Sequence, residues 1–288
     1  MGEADLDLAT MTLPVMPEVA QRILEIREDN IKVSSDQIGK LISADPSLAG
    51  KILKIANSAY YSRGRQIAKL AEAITVLGIR TIKSLALLVT SAVLYTSGRK
   101  ERLLVQEIWL RAVIGGLISR QIAQKIKKEV HPEDAFIAGL LGQTGFLVLL
   151  DKDTERFALL AHDIFQNKTE LDRADQEKKI YGYSTVNLTA KILQFWGLPN
   201  DLLDFLDNES QNGIGRQVYK FADSLVYAGD LTGKVKTGDD YLAHRVESYN
   251  TLGIELGFSE ADLSEMLESI PSEIKSDEFY KLCSQLVN

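Results

Sequence analysis

The chain has 288 residues, of which 45% are hydrophobic and 25% are charged, and its formal net charge is −7. These proportions are those of a globular protein with one large core or two smaller ones, and they exclude a disordered chain. The acidic balance argues against sequence-independent nucleic-acid binding, because an acidic surface repels the phosphate backbone. The densest basic cluster, Lys125, Lys127 and Lys128, is typical of a solvated helix face.

The single cysteine and the N-terminus bear on the cellular compartment. Cys283 cannot form an internal disulfide without a second thiol, which favours a reducing compartment. The start Met1-Gly2-Glu3 lacks the basic and apolar regions of a signal peptide. The longest apolar stretch, residues 85–95, is too short to span a bilayer. We therefore expect a cytoplasmic protein that does not contact a membrane.

The first third of the chain shows the apolar spacing of helices. Residues 1–12 predict a flexible leader. Asp45 and Pro46 form a strong helix start, because the aspartate can cap and proline fits the first helical position. Gly78 predicts a helix stop before an apolar, central helix. The predicted helices are, in order, residues 19–26, 36–42, 46–59, 68–77 and 79–95.

The rest of the chain continues the helical pattern, and strict alternation of apolar and polar residues is nearly absent, so the predicted fold class is all-α. Gly115-Gly116 lies inside a long predicted helix and indicates close approach of a second helix, since a mid-helix glycine costs about 1 kcal/mol relative to alanine. Pro132 opens the next helix. The predicted helices are residues 108–127, 133–150, 157–165, 187–195, 201–206, 217–231, 241–256, 260–270 and 272–286.

Seven short motifs occur in a fixed order along the chain. The first four are Leu13–Val19 (LPVMPEV), Ile42–Leu48 (ISADPSL), Ile55–Tyr61 (IANSAYY) and Ala73–Gly78 (AITVLG). The last three are Ile137–Gly145 (IAGLLGQTG), Phe195–Pro199 (FWGLP) and Phe221–Asp223 (FAD). In this order and spacing they resemble the HDOD family, the HD-related output domain, from about residue 13 to about residue 228.

The resemblance implies a multi-helix HD-like bundle with an N-terminal helical subdomain and a C-terminal helical extension. The HDOD domain would span residues 13–228, with an N-terminal half at 13–96 and an HD-like half at 101–228. Residues 229–288 would form C-terminal helices packed on the domain.

The HD-like half is similar to HD-type metal phosphohydrolases, in which His and Asp ligands converge on a divalent metal that activates water. The resemblance places the ligand positions here at Arg111, Gly142, Gln143, Ser184 or Thr185, Asn208-Glu209 and Asp223. Apart from Asp223 these are not the family's ligands, so we expect a degenerate site with no metal, no cofactor and no catalytic residue. Arg111 is predicted to lie where the metal would sit and to pair with Asp223.

The three histidines do not suggest another metal site. His162 and Asp163 form a literal His-Asp pair, but adjacent residues on a helix diverge by about 100° and do not face one site. His131 and His244 are isolated, and no two histidines have i, i+4 spacing. The sequence also lacks the phosphate-binding loop, the dinucleotide fingerprint, the hydrolase nucleophile motif and the Cys-x-x-Cys redox motif.

The resemblance implies a non-enzymatic module of bacterial signal transduction that acts through protein–protein interaction. HDOD proteins occur with kinases, receivers and cyclic-dinucleotide enzymes, so partners of those classes are expected on separate chains. Aromatic residues beside arginine favour protein contact. The candidate contact residues are Asn57, Ser58, Tyr60, Tyr61 and Arg63. A purely architectural role for the same residues stays open, with Asn57 as a helix cap and the tyrosines in the core.

Two alternatives remain for the degenerate pocket. It could bind a nucleotide second messenger or another phosphate ligand, with Arg111 as the contact. It could also retain metal-dependent phosphohydrolase activity, which would require ligands other than those named above.

Overall fold

The computed structural model describes residues 11, 13, 15–26, 35–62, 64–96, 102–126, 130–165, 173–206, 213–228 and 250–287. These residues form α-helices joined by turns and bends, and no β-strand occurs among them. The predicted all-α fold is therefore confirmed. The predicted break at residues 97–100, most of the predicted helix at 241–256, and Asn208-Glu209 lie outside the described residues.

Helices α1–α6 and the last helix, α16, form one compact unit, which we call the N-terminal unit. Their bounds are α1 Glu18–Leu24, α2 Ser35–Ser43, α3 Pro46–Ala56, α4 Ala59–Ser62, α5 Leu70–Leu77, α6 Ile79–Thr96 and α16 Glu278–Val287. Helix α2 packs on α5, α3 packs on α5 and α6, and α16 packs on α6 and α3. The C-terminus of the chain therefore belongs to the same unit as its first helices.

Local start and stop signals in the N-terminal unit act as predicted. Asp45 caps α3, because its Oδ1 accepts hydrogen bonds from the backbone N–H of Ser47 at 2.9 Å and of Leu48 at 3.0 Å. Gly78 ends α5 with a φ of 80°, in the left-handed region that favours glycine. The chain turns there, and α5 and α6 meet at an angle of 111°.

Helices α7–α15 form the second compact unit, which we call the HD unit. Their bounds are α7 Arg102–Lys125, α8 Pro132–Leu141, α9 Thr144–Lys152, α10 Thr154–Phe165, α11 Arg173–Tyr181, α12 Thr185–Phe195, α13 Asn200–Leu203, α14 Ile214–Ala228 and α15 Glu260–Ser276. Helices α7, α8 and α14 pack against one another, while α10 and α12 pack on α9.

Three glycines allow α7 and α8 to approach closely. A Cβ added at Gly139 would lie 2.7 Å from the carbonyl oxygen of Gly115 and from the Cα of Gly116. A Cβ at Gly116 would lie 2.8 Å from the carbonyl oxygen of Phe136. Any side chain at these positions would separate the two backbones, so the close approach indicated by Gly115-Gly116 is confirmed.

The predicted helix at 133–150 is two helices, α8 and α9, separated at Gly142-Gln143. The reason is that threonine hydroxyl groups donate to two carbonyl oxygens, which in a continuous helix would accept backbone N–H groups four residues later. Thr144 Oγ1 donates to the Leu141 carbonyl at 2.6 Å, and Thr189 Oγ1 donates to the Gly142 carbonyl at 3.1 Å. The break places Gln143 at the start of α9.

Two further predictions about helices were wrong. Helix α15 continues through Pro271 to Ser276, because Ile270 and Ile274 are both buried on one side of it. The next helix starts after Asp277, whose Oδ1 accepts the Phe279 N–H at 2.7 Å. Helix α11 was not predicted, because its sequence RADQEKKIY carries almost no apolar spacing.

One helical stretch among the described residues, Pro132–Lys152, is long and apolar enough to cross a membrane. Its apolar window is 89% buried inside the protein, which is what a core helix of a globular protein shows. The pair α5 and α6 passes the same test only when the two helices are counted together as one broken span.

Candidate functional site

Three positions of the predicted degenerate metal site meet in the HD unit around one arginine that sequence reasoning missed. Arg173, in the first turn of α11, is 4% exposed. Its NH2 donates to Asp223 Oδ2 at 2.7 Å, and its NH1 donates to Thr185 Oγ1 at 3.1 Å. Its guanidinium also lies over the Phe146 ring, 5.1 Å from the centroid. Arg173 is thus a buried cation held by α9, α12 and α14.

Gln143 and Asp223 also belong to the cluster of polar side chains around Arg173. Gln143 Nε2 donates to Asp223 Oδ1 at 3.0 Å, so both carboxylate oxygens of Asp223 accept a hydrogen bond from a side chain. Gln143 is 2% exposed and the side chain of Asp223 is 17% exposed. Three of the predicted positions, Gln143, Thr185 and Asp223, are therefore brought together, and Arg173 lies between two of them.

Glu177 brings a second, fully buried carboxylate into the cluster. Its Oε2 accepts the backbone N–H of Thr185 at 2.6 Å, and the Thr185 hydroxyl donates to the two carboxylate oxygens at 2.7 and 2.8 Å. Burial raises the pKa of Glu177 above its ordinary value, and Arg173, 3.7 Å away, opposes the shift together with the Thr185 hydrogen bonds. One cation, Arg173, is shared by two carboxylates.

The space beside Gly142 is filled by a tyrosine. A Cβ added at Gly142 would lie 2.4 Å from Tyr219 Cε2 and 2.5 Å from its hydroxyl oxygen. Tyr219 is 2% exposed, and its hydroxyl donates to the Gly142 carbonyl at 3.4 Å. Burial raises the pKa of Tyr219, so the phenol stays neutral. The ring therefore occupies the volume that a side chain at position 142 would need.

Arg111 does not make the contact predicted for it. Its NH1 donates to the Val226 carbonyl at 3.2 Å, and its NH2 forms an ion pair with Glu107 at 3.0 Å, one turn away on α7. Asp223 instead pairs with Arg173. The predicted Arg111–Asp223 pair was wrong, because a residue on α11 that the sequence pattern did not place reaches the carboxylate.

The residues of the cluster do not fit a divalent metal. Such a cation needs several convergent His, Cys, Asp or Glu ligands. The cluster instead offers two carboxylates that share one guanidinium, together with an amide and a hydroxyl. In the part of the chain that the structure describes, no group of three or more His, Cys, Asp or Glu side chains could hold a metal ion. A metal at Asp223 would have to displace Arg173 first.

The candidate contact residues of the N-terminal unit lie between α3 and α5. Asn57 Nδ2 donates to the Ile67 carbonyl at 2.7 Å and to the Leu53 carbonyl at 2.8 Å, while Asn57 Oδ1 accepts the Ile67 N–H at 2.8 Å. The side chain thus ties the loop to the end of α3. Ser58 and Tyr61 are half-buried, while Arg63 and the side chain of Tyr60 lie outside the described residues.

Sequence reasoning missed Arg173, Glu177 and Tyr219. The signal present was the i, i+4 spacing of Arg173 and Glu177, which suits an ion pair on a helix but occurs on many solvated helices. Their partners lie 50 and 8 residues away along the chain, at Asp223 and Thr185, so spacing alone could not have found the cluster.

Solved structures of bacterial proteins share this fold. An HDOD domain protein of unknown function from Geobacter sulfurreducens is 19% identical, with a TM-score of 0.69, covering 97% of this chain and 95% of that one. A protein from Shewanella amazonensis SB2B, described as a candidate phosphohydrolase, is 20% identical, with a TM-score of 0.67 and 95% of both chains covered.

A candidate signal-transduction protein from Marinobacter aquaeolei VT8 is 18% identical, with a TM-score of 0.67, and the match covers 99% of this chain and 62% of that one. No curated protein matches the chain. The sequence matches the HDOD domain over residues 13–211, which is more than half of its length. With the motif order and the HD-like helical unit, this match shows that the chain belongs to the HDOD domain family.

Proposed function

We propose that this HDOD protein is a non-enzymatic regulatory module that acts by binding a partner protein. The observation that carries the proposal is the Arg173–Asp223 ion pair at 2.7 Å, which puts a side-chain cation against the carboxylate retained from the family's metal site. A permanent cation there makes the charge balance of the site independent of a metal. The space at position 142 is also taken, by the Tyr219 ring.

Metal-dependent hydrolysis needs a Lewis acid to activate water and to neutralise charge on the phosphate. A guanidinium can neutralise charge, but it does not lower the pKa of a bound water as a metal does. The Arg173 guanidinium is moreover buried and bonded to Asp223 and Thr185. The similarity to a candidate phosphohydrolase, at 20% identity, concerns the fold and does not restore these missing groups.

The alternative of a phosphate ligand at Arg111 receives no support from the geometry. Its guanidinium is 4% exposed and contacts Glu107 and the Val226 carbonyl. A phosphate would have to replace a carboxylate and a backbone acceptor that are already in place. Protein contact remains the better proposal, with kinases, receivers and cyclic-dinucleotide enzymes as the partner classes that family membership suggests.

The segment after α3, which contains the short helix α4, is the proposed contact region. Asn57 fixes the backbone of this segment through its bonds to Ile67 and Leu53, so we assign it a supporting role. Tyr61, which is half-buried, would then be presented on a fixed backbone, which lowers the entropy lost on binding. Tyr60 and Arg63 stay candidate contacts from the sequence alone.

The test of the proposed function is the metal content of the purified full chain, measured by mass spectrometry, together with hydrolysis of a generic phosphodiester in added Mn²⁺. We expect less than about one-tenth of an equivalent of metal and no turnover above a sample without protein. The Asp223→Ala variant is the matched control. Stoichiometric metal, or turnover that disappears in Asp223→Ala, would refute the proposal.

A further inference from the structure

Helix α11 is attached to the HD unit through a polar face. Its buried residues are Arg173, Gln176 and Glu177, whereas Ala174, Ile180 and Tyr181 are half-buried. A helix on a globular protein is ordinarily held by an apolar stripe. In α11 that stripe is replaced by charged and amide side chains.

The contacts of these side chains reach three other helices. Arg173 bonds to Asp223 of α14 and lies over the Phe146 ring of α9. Glu177 bonds to the N–H and hydroxyl of Thr185, the first residue of α12. At the far end of α11, the guanidinium of Arg156 lies over the Tyr181 ring, 6.0 Å from the centroid. Ion pairs, hydrogen bonds and cation–π contacts therefore occur at both ends of the attachment.

For such a polar face, the free-energy cost of substituting one residue differs from the cost of undocking the whole helix. Removal of one partner leaves a buried charge without compensation, which is costly. Undocking of the whole helix returns Arg173, Glu177 and Asp223 to water together, where each charge is solvated again. Because the buried residues of α11 are polar, the surface that this helix would expose is mainly polar, and on the rest of the unit part of the buried Phe146 ring would be uncovered. Local release of α11 is therefore cheap relative to the release of an apolar helix.

We propose that α11 is a polar latch, which docks and undocks from the HD unit while the rest of the unit stays folded. Undocking frees Asp223 and the N-terminus of α12, so the chain has two states that differ at the predicted degenerate metal site. A partner that binds one state better shifts the population toward it. The inference of a latch depends on the contacts of α11 and not on the proposed function.

The Thr185 amide reports specifically on the latch. Thr185 is the first residue of α12, and its N–H donates to Glu177 Oε2 at 2.6 Å. Amides later in α12 are bonded within that helix, as Leu188 N is to the Ser184 carbonyl at 3.0 Å. Undocking of α11 therefore removes the acceptor of Thr185 but leaves the Leu188 bond intact.

Amide hydrogen exchange of the full chain, measured by NMR, tests the proposal. We expect the α11 amides and the Thr185 amide to exchange at least about 100-fold faster than those of the core helix α8. Up to about 1 M urea, exchange of α11 and Thr185 should change little, while that of α8 should accelerate, because a local opening exposes little surface. A Thr185 amide that exchanges together with α8, with the same urea dependence, would overturn the proposal.

Two variants that each remove one positive charge from α11 provide a matched comparison. Arg173→Gln breaks the latch contacts, whereas Lys179→Gln changes an exposed residue on the same helix. Arg173→Gln should accelerate exchange of Thr185 at least about tenfold and should accelerate α8 by no larger a factor, so that Thr185 still exchanges well before α8, whereas Lys179→Gln should leave both unchanged. Equal effects of the two variants would contradict the latch. If Arg173→Gln does not fold, the urea dependence of the wild-type protein decides the question alone.

Discussion

The charge balance around Arg173 makes a direct prediction about stability. Arg173→Met keeps much of the apolar stem but removes the cation that Asp223 and Glu177 share. Breaking a buried pair by removing one partner costs about 3–5 kcal/mol. Water partly solvates Asp223, whose side chain is 17% exposed, so we expect the lower end of the range, about 3 kcal/mol of unfolding free energy.

Urea unfolding followed by tryptophan fluorescence measures this loss. Both tryptophans, Trp109 and Trp196, lie in the HD unit, so the signal reports on the unit that contains the pair. With an m-value of about 2 kcal/mol per molar, a loss of about 3 kcal/mol lowers the urea midpoint by about 1.5 M. Lys179→Met, at an exposed position of α11, is the control and should change stability by less than about 0.5 kcal/mol.

A compensating variant separates the charge argument from a packing defect. The triple variant Arg173→Met, Glu177→Gln and Asp223→Asn replaces both carboxylates by neutral amides of nearly the same shape. This triple variant should recover more than about half of the stability lost in the single variant, because no buried charge is left without a partner. A triple variant no more stable than Arg173→Met, or a single-variant loss below about 1 kcal/mol, would refute the reasoning.

Three further predictions concern the site and the loop. Burial raises the pKa of Glu177 above 4.5, so the wild-type protein loses the stability contributed by the protonated carboxyl as the pH rises through the raised pKa. Glutamine has no proton to lose, so Glu177→Gln should become more stable relative to the wild-type protein as the pH rises. Urea midpoints at about pH 4.5 and about pH 7.5 measure the gain, and an equal difference at both values would contradict it. Gly142→Ala should cost about 2 kcal/mol, because its Cβ would lie 2.4 Å from a ring carbon of Tyr219. Gly50→Ala, whose Cβ meets nothing within 4 Å, should stabilise by up to about 1 kcal/mol, and similar thermal shifts for both would argue against a filled space at position 142. Asn57→Ala should cost about 1–2 kcal/mol through the loss of its backbone hydrogen bonds, measured by thermal unfolding, and an unchanged midpoint would remove its supporting role.

The parts of the fold that the sequence predicted are those determined by neighbouring residues. The Asp45 cap and the Gly78 stop act within a few residues of themselves, and each has a side chain or backbone property suited to one local structure. The glycine pair at 115–116 predicted a close approach for a similar reason, since only the absence of a Cβ permits it. Motif order then supplied the family and the arrangement of the helices.

The candidate site was predicted less well, because its decisive contacts join distant parts of the chain. Arg173 and Asp223 are 50 residues apart, and Gly142 and Tyr219 are 77 residues apart. Helix α11, which carries Arg173 and Glu177, has no apolar periodicity by which to identify it. The resemblance led us to expect Arg111 as the cation beside Asp223, but which arginine reaches the carboxylate depends on which helix packs there.

The residues at the predicted degenerate metal site depend on one another. Glycine at position 142 leaves a volume that the Tyr219 ring fills, so a histidine restored there would collide with a buried phenol. Without a metal, the mostly buried carboxylate of Asp223 requires another cation for compensation, and Arg173 provides it at 2.7 Å. A histidine at position 142 would clash with Tyr219 unless that tyrosine were removed. A metal would find Asp223 already paired unless Arg173 were removed. This mutual dependence supports our proposal that the site is a structural centre and that the domain acts through the surfaces that this centre supports.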